Sequence, residues 1–255
     1  MPRKNKRKKA MQTDHLRLIE NIPPKVARHM QLAHIEPRSI NQCNLLSMLK
    51  NPNIHIAFAT GPAGTGKTLI STIHAINCLK AKIVKKIVIT RPAVSVDEQH
   101  GFLPGSLSEK MAPWTRPIFD IFEEHYSKQL IEQMIEHGVI EISPLAYMRG
   151  RTFKNSIIIA DEMQNATDSQ MKMLLTRIGE NSKLIITGDL AQHDRGFESN
   201  GLKLFIERLV QYDSDMIDYV EFTANDVERH PAVSDVLRIY NGIHSQTQEY
   251  HYPYG

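Results

Sequence analysis

Gly61-Pro62-Ala63-Gly64-Thr65-Gly66-Lys67-Thr68 is the stretch that decides the fold. Its spacing is G-x-x-x-x-G-K-[ST], the signature of a loop that cradles phosphate. The glycines let the backbone curl so that successive N–H groups point inward as an anion nest. A helix starting near Lys67 adds its positive N-terminal end. Lys67 has the length to reach the β- and γ-phosphates of a nucleotide, and the Thr68 hydroxyl is placed to ligate Mg²⁺. The context supports the motif, because an apolar run over 54–60 reads as a buried strand and 67–79 reads as a helix. The expected nucleotide site therefore comprises Gly61, Pro62, Ala63, Gly64, Thr65, Gly66, Lys67, Thr68 and Leu69, with ATP and Mg²⁺ as its ligands.

Working outward, the next signal is Ile157-Ile158-Ile159-Ala160-Asp161-Glu162. A buried strand ending in an acid puts that carboxylate at the edge where parallel α/β sheets build their sites. Asp161 is the expected metal-side carboxylate. Glu162 carries more information, since a second acid beside it suits polarisation of an attacking water. A kinase that hands phosphate to an organic acceptor has no need of it. The third signal is Lys183-Leu184-Ile185-Ile186-Thr187-Gly188-Asp189-Leu190-Ala191-Gln192, where another strand ends and Gln192 can report on the γ-phosphate with its amide.

The rest of the chain fits this frame. Further strands are expected over 86–90, up to about 143, and over 217–222; helices are expected over 39–50, 118–136, 169–178, 200–211 and 232–242. Strands separated by helices imply βαβ crossovers, so the expected class is α/β, a mainly parallel sheet covered by helices on both faces. Residues 91–155 read as largely irregular, punctuated by Pro92, Pro104, Pro113, Pro117 and Pro144. Their aromatics, Phe102, Trp114 and Phe119, fit either an interface or the packing of a subdomain.

With 255 residues, 41% hydrophobic and 23% charged, the chain has the composition of a globular protein and not of a disordered or fibrous one. Two cysteines, Cys43 and Cys78, form no metal-ligand spacing, so a reducing cytoplasm is the expected compartment. No apolar run approaches the ~20 residues of a membrane span. The net charge of +3 is uneven. Arg3, Lys4, Lys6, Arg7, Lys8 and Lys9 lie in one tail, and without those six the body has 25 basic against 28 acidic residues. A tail over 1–10 of this kind reads as a disordered arm attracted to polyphosphate. A helical segment over 11–38, the main domain over 39–243 and a C-terminal tail over 244–255 complete the expected organisation.

The order of the three signals resembles the motor core of superfamily 1 helicases. One branch is closer. Asp161-Glu162-Met163-Gln164-Asn165, Thr90-Arg91-Pro92-Ala93-Val94, Gly101-Phe102-Leu103-Pro104-Gly105 with Trp114, and Tyr147-Met148-Arg149-Gly150-Arg151-Thr152-Phe153 together resemble the PhoH family of ATPases. The resemblance runs from about residue 40 to residue 240, with Met163 standing where the family usually has alanine. It implies a RecA-like P-loop NTPase domain that hydrolyses ATP and acts with RNA or single-stranded DNA. It also implies that Gln42 reads the adenine edge, that Arg91, Arg149 and Arg151 touch nucleic acid or a neighbouring subunit, and that Arg229 serves as an arginine finger.

Superfamily 1 motors complete their site with a second lobe, and this chain has strands for one. An arginine finger is worth roughly 10³–10⁵ in rate, so the expectation is a homo-oligomeric ring, a hexamer by resemblance, with nucleotide between subunits. A nucleotide-gated scaffold with slow ATPase is the competing expectation.

Overall fold

The apolar runs pair side by side into one sheet. A computed structural model of the chain describes residues 31–92, 107–192, 200–228 and 231–240. Its strands are β1 (Ile56–Thr60), β2 (Lys86–Thr90), β3 (Ile140–Ile142), β4 (Ser156–Ala160), β5 (Lys183–Gly188) and β6 (Ile217–Glu221). They lie in the order β3-β2-β4-β5-β1-β6, and every pairing is parallel. The helices are α1 (Ile40–Lys50), α2 (Lys67–Lys80), α3 (Leu107–His125), α4 (Lys128–Glu136), α5 (Asp168–Leu175), α6 (Gly201–Leu209) and α7 (Pro231–Tyr240).

Strand alternation divides the core in two. Ala57, Ala59, Ile87, Ile89, Ile157, Ile159 and Ile185 face one cluster, which α1, α2, α3 and α4 close with Leu45, Ile76, Phe122 and Ile131. Ile56, Phe58, Val88, Ile158, Leu184 and Ile186 face the other, which α5 and α6 close with Leu174 and Leu202. Successive side chains point to opposite faces, so the central strands β1, β2, β4 and β5, buried on both sides, are apolar through their middles. The expected α/β class, a parallel sheet covered on both faces, is the one observed.

The strand order matters for the site. β5 lies between β1 and β4, with Thr60 level with Gly188 and Ala160 level with Ile186. The three chain segments that leave these strands therefore emerge side by side at one edge.

Two expectations need correcting. The helical stretch expected over 118–136 is two helices, α3 and α4, and α3 starts earlier, at Leu107, running through Pro113 and Pro117. Each proline removes one N–H from the ladder, but Ile118, Ile121 and Phe122 are buried against α2 and hold the helix in place. Phe119 packs on Phe122 with ring centroids 5.8 Å apart, so it belongs to the core. Of the helical segment expected over 11–38, only 31–38 is described, and it is not helical. Asn77 takes both main-chain groups of Ala33 (2.7 and 2.9 Å), which ties this stretch to α2. The tails over 1–10 and 244–255 lie outside the described residues. Among the described residues no helix is long and apolar enough to cross a membrane.

Candidate active site

Three neighbouring strands deliver the site. From β1 the chain enters the glycine-rich loop at Gly61, whose φ is +128°. A Cβ there would stand 2.2 Å from the carbonyl oxygen of Phe222, so only glycine fits against the segment after β6. The loop is braced at each step. Thr65 Oγ1 donates to Pro62 O (3.0 Å), Gln42 Nε2 donates to Thr65 O (3.1 Å), and the Glu228 N–H donates to Gly64 O (2.9 Å). α2 then begins at Gly66 with no side-chain cap and no acid in its first turn. An uncapped, unneutralised helix start presents N–H groups and positive potential, which is an anion site.

Lys67 is buried and bends back over this loop, donating to Gly61 O and Pro62 O at 2.7 Å each and to Thr65 Oγ1 at 3.2 Å. Burial pushes its ammonium below the usual lysine range, while the carboxylates of Asp189, Glu162 and Asp161 pull it back up.

β4 contributes the acids. Asp161 Oδ1 accepts from the Thr68 hydroxyl at 2.9 Å and from the Thr187 hydroxyl of β5. This carboxylate is buried and shared by two hydroxyls from two other elements. Glu162 follows with φ +55° and ψ +38°, left-handed geometry that a non-glycine residue rarely adopts. The turn splits the two acids. Asp161 faces Thr68, and Glu162 Oε2 accepts from Gln164 Nε2 at 2.6 Å.

Between loop and acids lies a cavity of about 210 Å³ lined by Ala63, Gly64, Gly66, Lys67, Thr68, Leu69, Asp161, Glu162, Thr187, Gly188, Asp189 and Gln192. That is below the roughly 300 Å³ at which pockets enclose a whole ligand, and it suits a polyphosphate chain. Gly61, Pro62 and Thr65 stand behind the lining and act as scaffold.

The remaining expected residues fall in different places. Gln42 is buried beside the loop, its Oε1 accepting from the Arg38 N–H at 2.7 Å. Arg91 follows β2 and donates to Trp114 O at 3.4 Å. Arg149 is exposed and, among the described residues, forms no ion pair. Arg151 is held within the fold by Glu141, by Ser143 Oγ at 3.4 Å, and by the Phe153 ring 4.5 Å below it. Arg229 lies outside the described residues. The sequence reading did not single out Thr187, Asp189 or Gln164, which line or brace the cavity. A hydroxyl residue closing β1, β2 and β5 (Thr60, Thr90, and Thr187 before Gly188) was the available signal.

The chain is 43% identical over 209 residues to a PhoH-like protein of Bacillus subtilis, covering 81% of this chain and 64% of the relative. It is 44% identical over 207 residues to a PhoH-like protein of Mycobacterium tuberculosis, covering 81% of this chain and 58% of that one. The chain thus spans about three-fifths of the length of the curated relatives it matches. Among solved structures, the Pif1 helicase from Candida albicans aligns over 82% of this chain and 44% of its own, at 14% identity and a TM-score of 0.39. The family model described as "PhoH-like protein" matches residues 34–241, nearly all of the domain that carries the loop and the paired acids, and the chain belongs to that family.

Proposed function

We propose that this P-loop NTPase fold hydrolyses ATP with Mg²⁺ and couples the hydrolysis to RNA or single-stranded DNA. The observation that carries the proposal is the division of labour between the two acids. Asp161 is committed to Thr68 and Thr187, whereas Glu162 lines the same cavity outside that cluster, with its Oε2 held by Gln164.

The donor set fits Mg²⁺, because Thr68 Oγ1 and Asp161 Oδ1 are hard oxygens 2.9 Å apart on the cavity wall. Bound there, the ion would neutralise charge on the β- and γ-phosphate oxygens. Lys67 exchanges its two carbonyl partners for phosphate, a stronger acceptor. The start of α2 binds the phosphates through main-chain N–H groups. Glu162 takes a proton from the attacking water. Gln192, on the cavity rim, senses the γ-phosphate. Arg229 supplies transition-state charge, from the same chain or from a neighbour in a ring of six copies.

Gln42 reads the adenine edge by exchanging its bonds to Thr65 O and the Arg38 N–H for the base. Arg91, Arg149 and Arg151 lie beyond β2 and β3 on the same sheet edge as the cavity, which gives a polymer a cationic path beside the nucleotide. The free cysteines are compatible with a reducing cytoplasm. Steady-state ATP hydrolysis with and without single-stranded RNA or DNA tests the coupling. Turnover that rises with polymer supports it. Slow, polymer-independent turnover favours a nucleotide-gated scaffold instead.

A further inference from the structure

This inference rests on Glu162 being the general base and concerns what holds it. Glu162 Oε2 accepts from Gln164 Nε2 at 2.6 Å, and the other end of the same amide, Oε1, accepts from the Asp189 N–H at 3.1 Å. A carboxylate only accepts and a main-chain N–H only donates, so the amide has one orientation that satisfies both. Gln164 is only 1% exposed and its bond to the Asp189 N–H is buried, while its bond to Glu162 sits at the cavity wall. Gly188 makes the room for it. A Cβ at that position would stand 2.9 Å from Gln164 Oε1 and 2.5 Å from Leu202 Cδ2. Asp189 in turn opens the bend that carries Gln192, whose N–H donates to Asp189 O at 3.1 Å. A single buried amide thus joins the acid after β4 to the bend after β5.

We propose that Gln164 is the positioning residue of Glu162. Its Nε2 holds Oε2, leaves Oε1 for the proton of the attacking water, and transmits displacement of the Gln192 bend to the carboxylate when the cavity fills. No new bond or charge transfer is involved; the effect is on where one oxygen stands. Misplacing a reacting group by about an ångström costs on the order of a hundredfold in rate.

The test uses Gln164→Ala, Gln164→Glu, Glu162→Gln and the double variant Glu162→Gln/Gln164→Glu. Gln164→Glu keeps the volume and an oxygen for the Asp189 N–H but has no donor for Glu162. It therefore keeps the test decisive if the alanine variant fails to melt cooperatively. Turnover at saturating ATP and the dissociation constant of a fluorescent ATP analogue are the readouts. The expected result is a kcat lower by roughly ten- to a hundredfold, with analogue binding changed by less than about threefold. The double variant should be no slower than Glu162→Gln alone, because residues acting through one another are not additive. Unchanged kcat in the folded variants overturns the proposal, and so do losses that multiply in the double variant. If the wild type hydrolyses no ATP, the ATPase reading itself fails. If it does, and Glu162→Gln is inactive while both Gln164 variants turn over normally, only the positioning role fails.

Discussion

Lys67 and Lys183 lie at opposite edges of the sheet, and each points its amine at main-chain carbonyls. Lys67 follows β1 and donates to Gly61 O and Pro62 O. Lys183 opens β5 and donates to Leu49 O (2.7 Å), Asn51 O (2.8 Å) and Met48 O (3.4 Å), capping the C-terminus of α1. Burial lowers the ammonium pKa of both, to about 8 for Lys183. Their surroundings differ. Three carboxylates, Asp189, Glu162 and Asp161, act on Lys67, whereas the one charge pulling Lys183 back up is that of Cys78. Lys183 completes the C-terminal end of α1, where the Asn51 N–H also donates to Met48 O and Ser47 O. Under the proposed function Lys67 trades its carbonyls for phosphate, beside the acids of the same cavity. On that reading the same bonding pattern is structural at one edge and exchangeable at the other.

The contrast can be broken most directly at Lys67. Lys67→Ala should lower turnover by on the order of 10²–10³ while the protein still melts cooperatively. Steady-state hydrolysis and calorimetry measured together would show whether the two effects separate. A variant that is merely unfolded would erase the distinction between the two lysines.

Lys183→Met is the complementary experiment. It should cost about 2 kcal/mol of stability, or roughly 4–8 °C in melting temperature, with turnover per folded molecule retained. The pH dependence sharpens it. Lys183 has a folded pKa of about 8 against 10.5 unfolded, so between those values the unfolded chain holds more protons. Wild type should therefore gain stability relative to the methionine variant as pH rises through that window. A difference that shrinks over the same range would contradict the assignment.

A smaller effect is expected at Thr187, which gives a hydroxyl to Asp161. Thr187→Val keeps the shape of the residue and should raise the Mg²⁺ concentration for half-maximal turnover by about tenfold. A metal titration reads it. The smallest effect belongs to Arg149. Arg149→Ala should reduce the salt slope of single-stranded RNA binding by about 0.7, the contribution of one phosphate contact. Binding isotherms at several salt concentrations measure it, and an unchanged slope would remove Arg149 from the polymer path.

Much of this architecture could be read from local pattern. The loop motif fixed the first strand and helix, and the isoleucine runs ending in Thr90, Asp161 and Gly188 fixed three more strands. Both acids, Lys67 and Thr68 meet at one cavity as the motif order implies. What escaped depends on which strands are neighbours. Thr187 reaches Asp161 only because β5 is inserted between β1 and β4, and no local spacing encodes that order. Glu141 of β3 binds both Lys86 of β2 and Arg151 of the segment after β3, a grouping that follows from the pairing of β2 and β3 and from a turn of the chain, neither of which local spacing encodes. Gln164 was visible as a letter in a motif, but its bond to the Asp189 N–H joins segments 25 residues apart. The start of α3 at Leu107, ahead of the helix expected from 118, escapes local pattern because propensity penalises proline, while burial of Ile118, Ile121 and Phe122 overrides it.

Under the proposed function Glu162 performs the chemistry in a site whose binding groups are separate from it. The most direct measurement is single-turnover hydrolysis of Mg²⁺·ATP by wild type and Glu162→Gln, with nucleotide binding measured on the same samples. The variant should bind ATP with wild-type affinity and fail to cleave it. Cleavage at the wild-type rate by the variant would contradict the proposal.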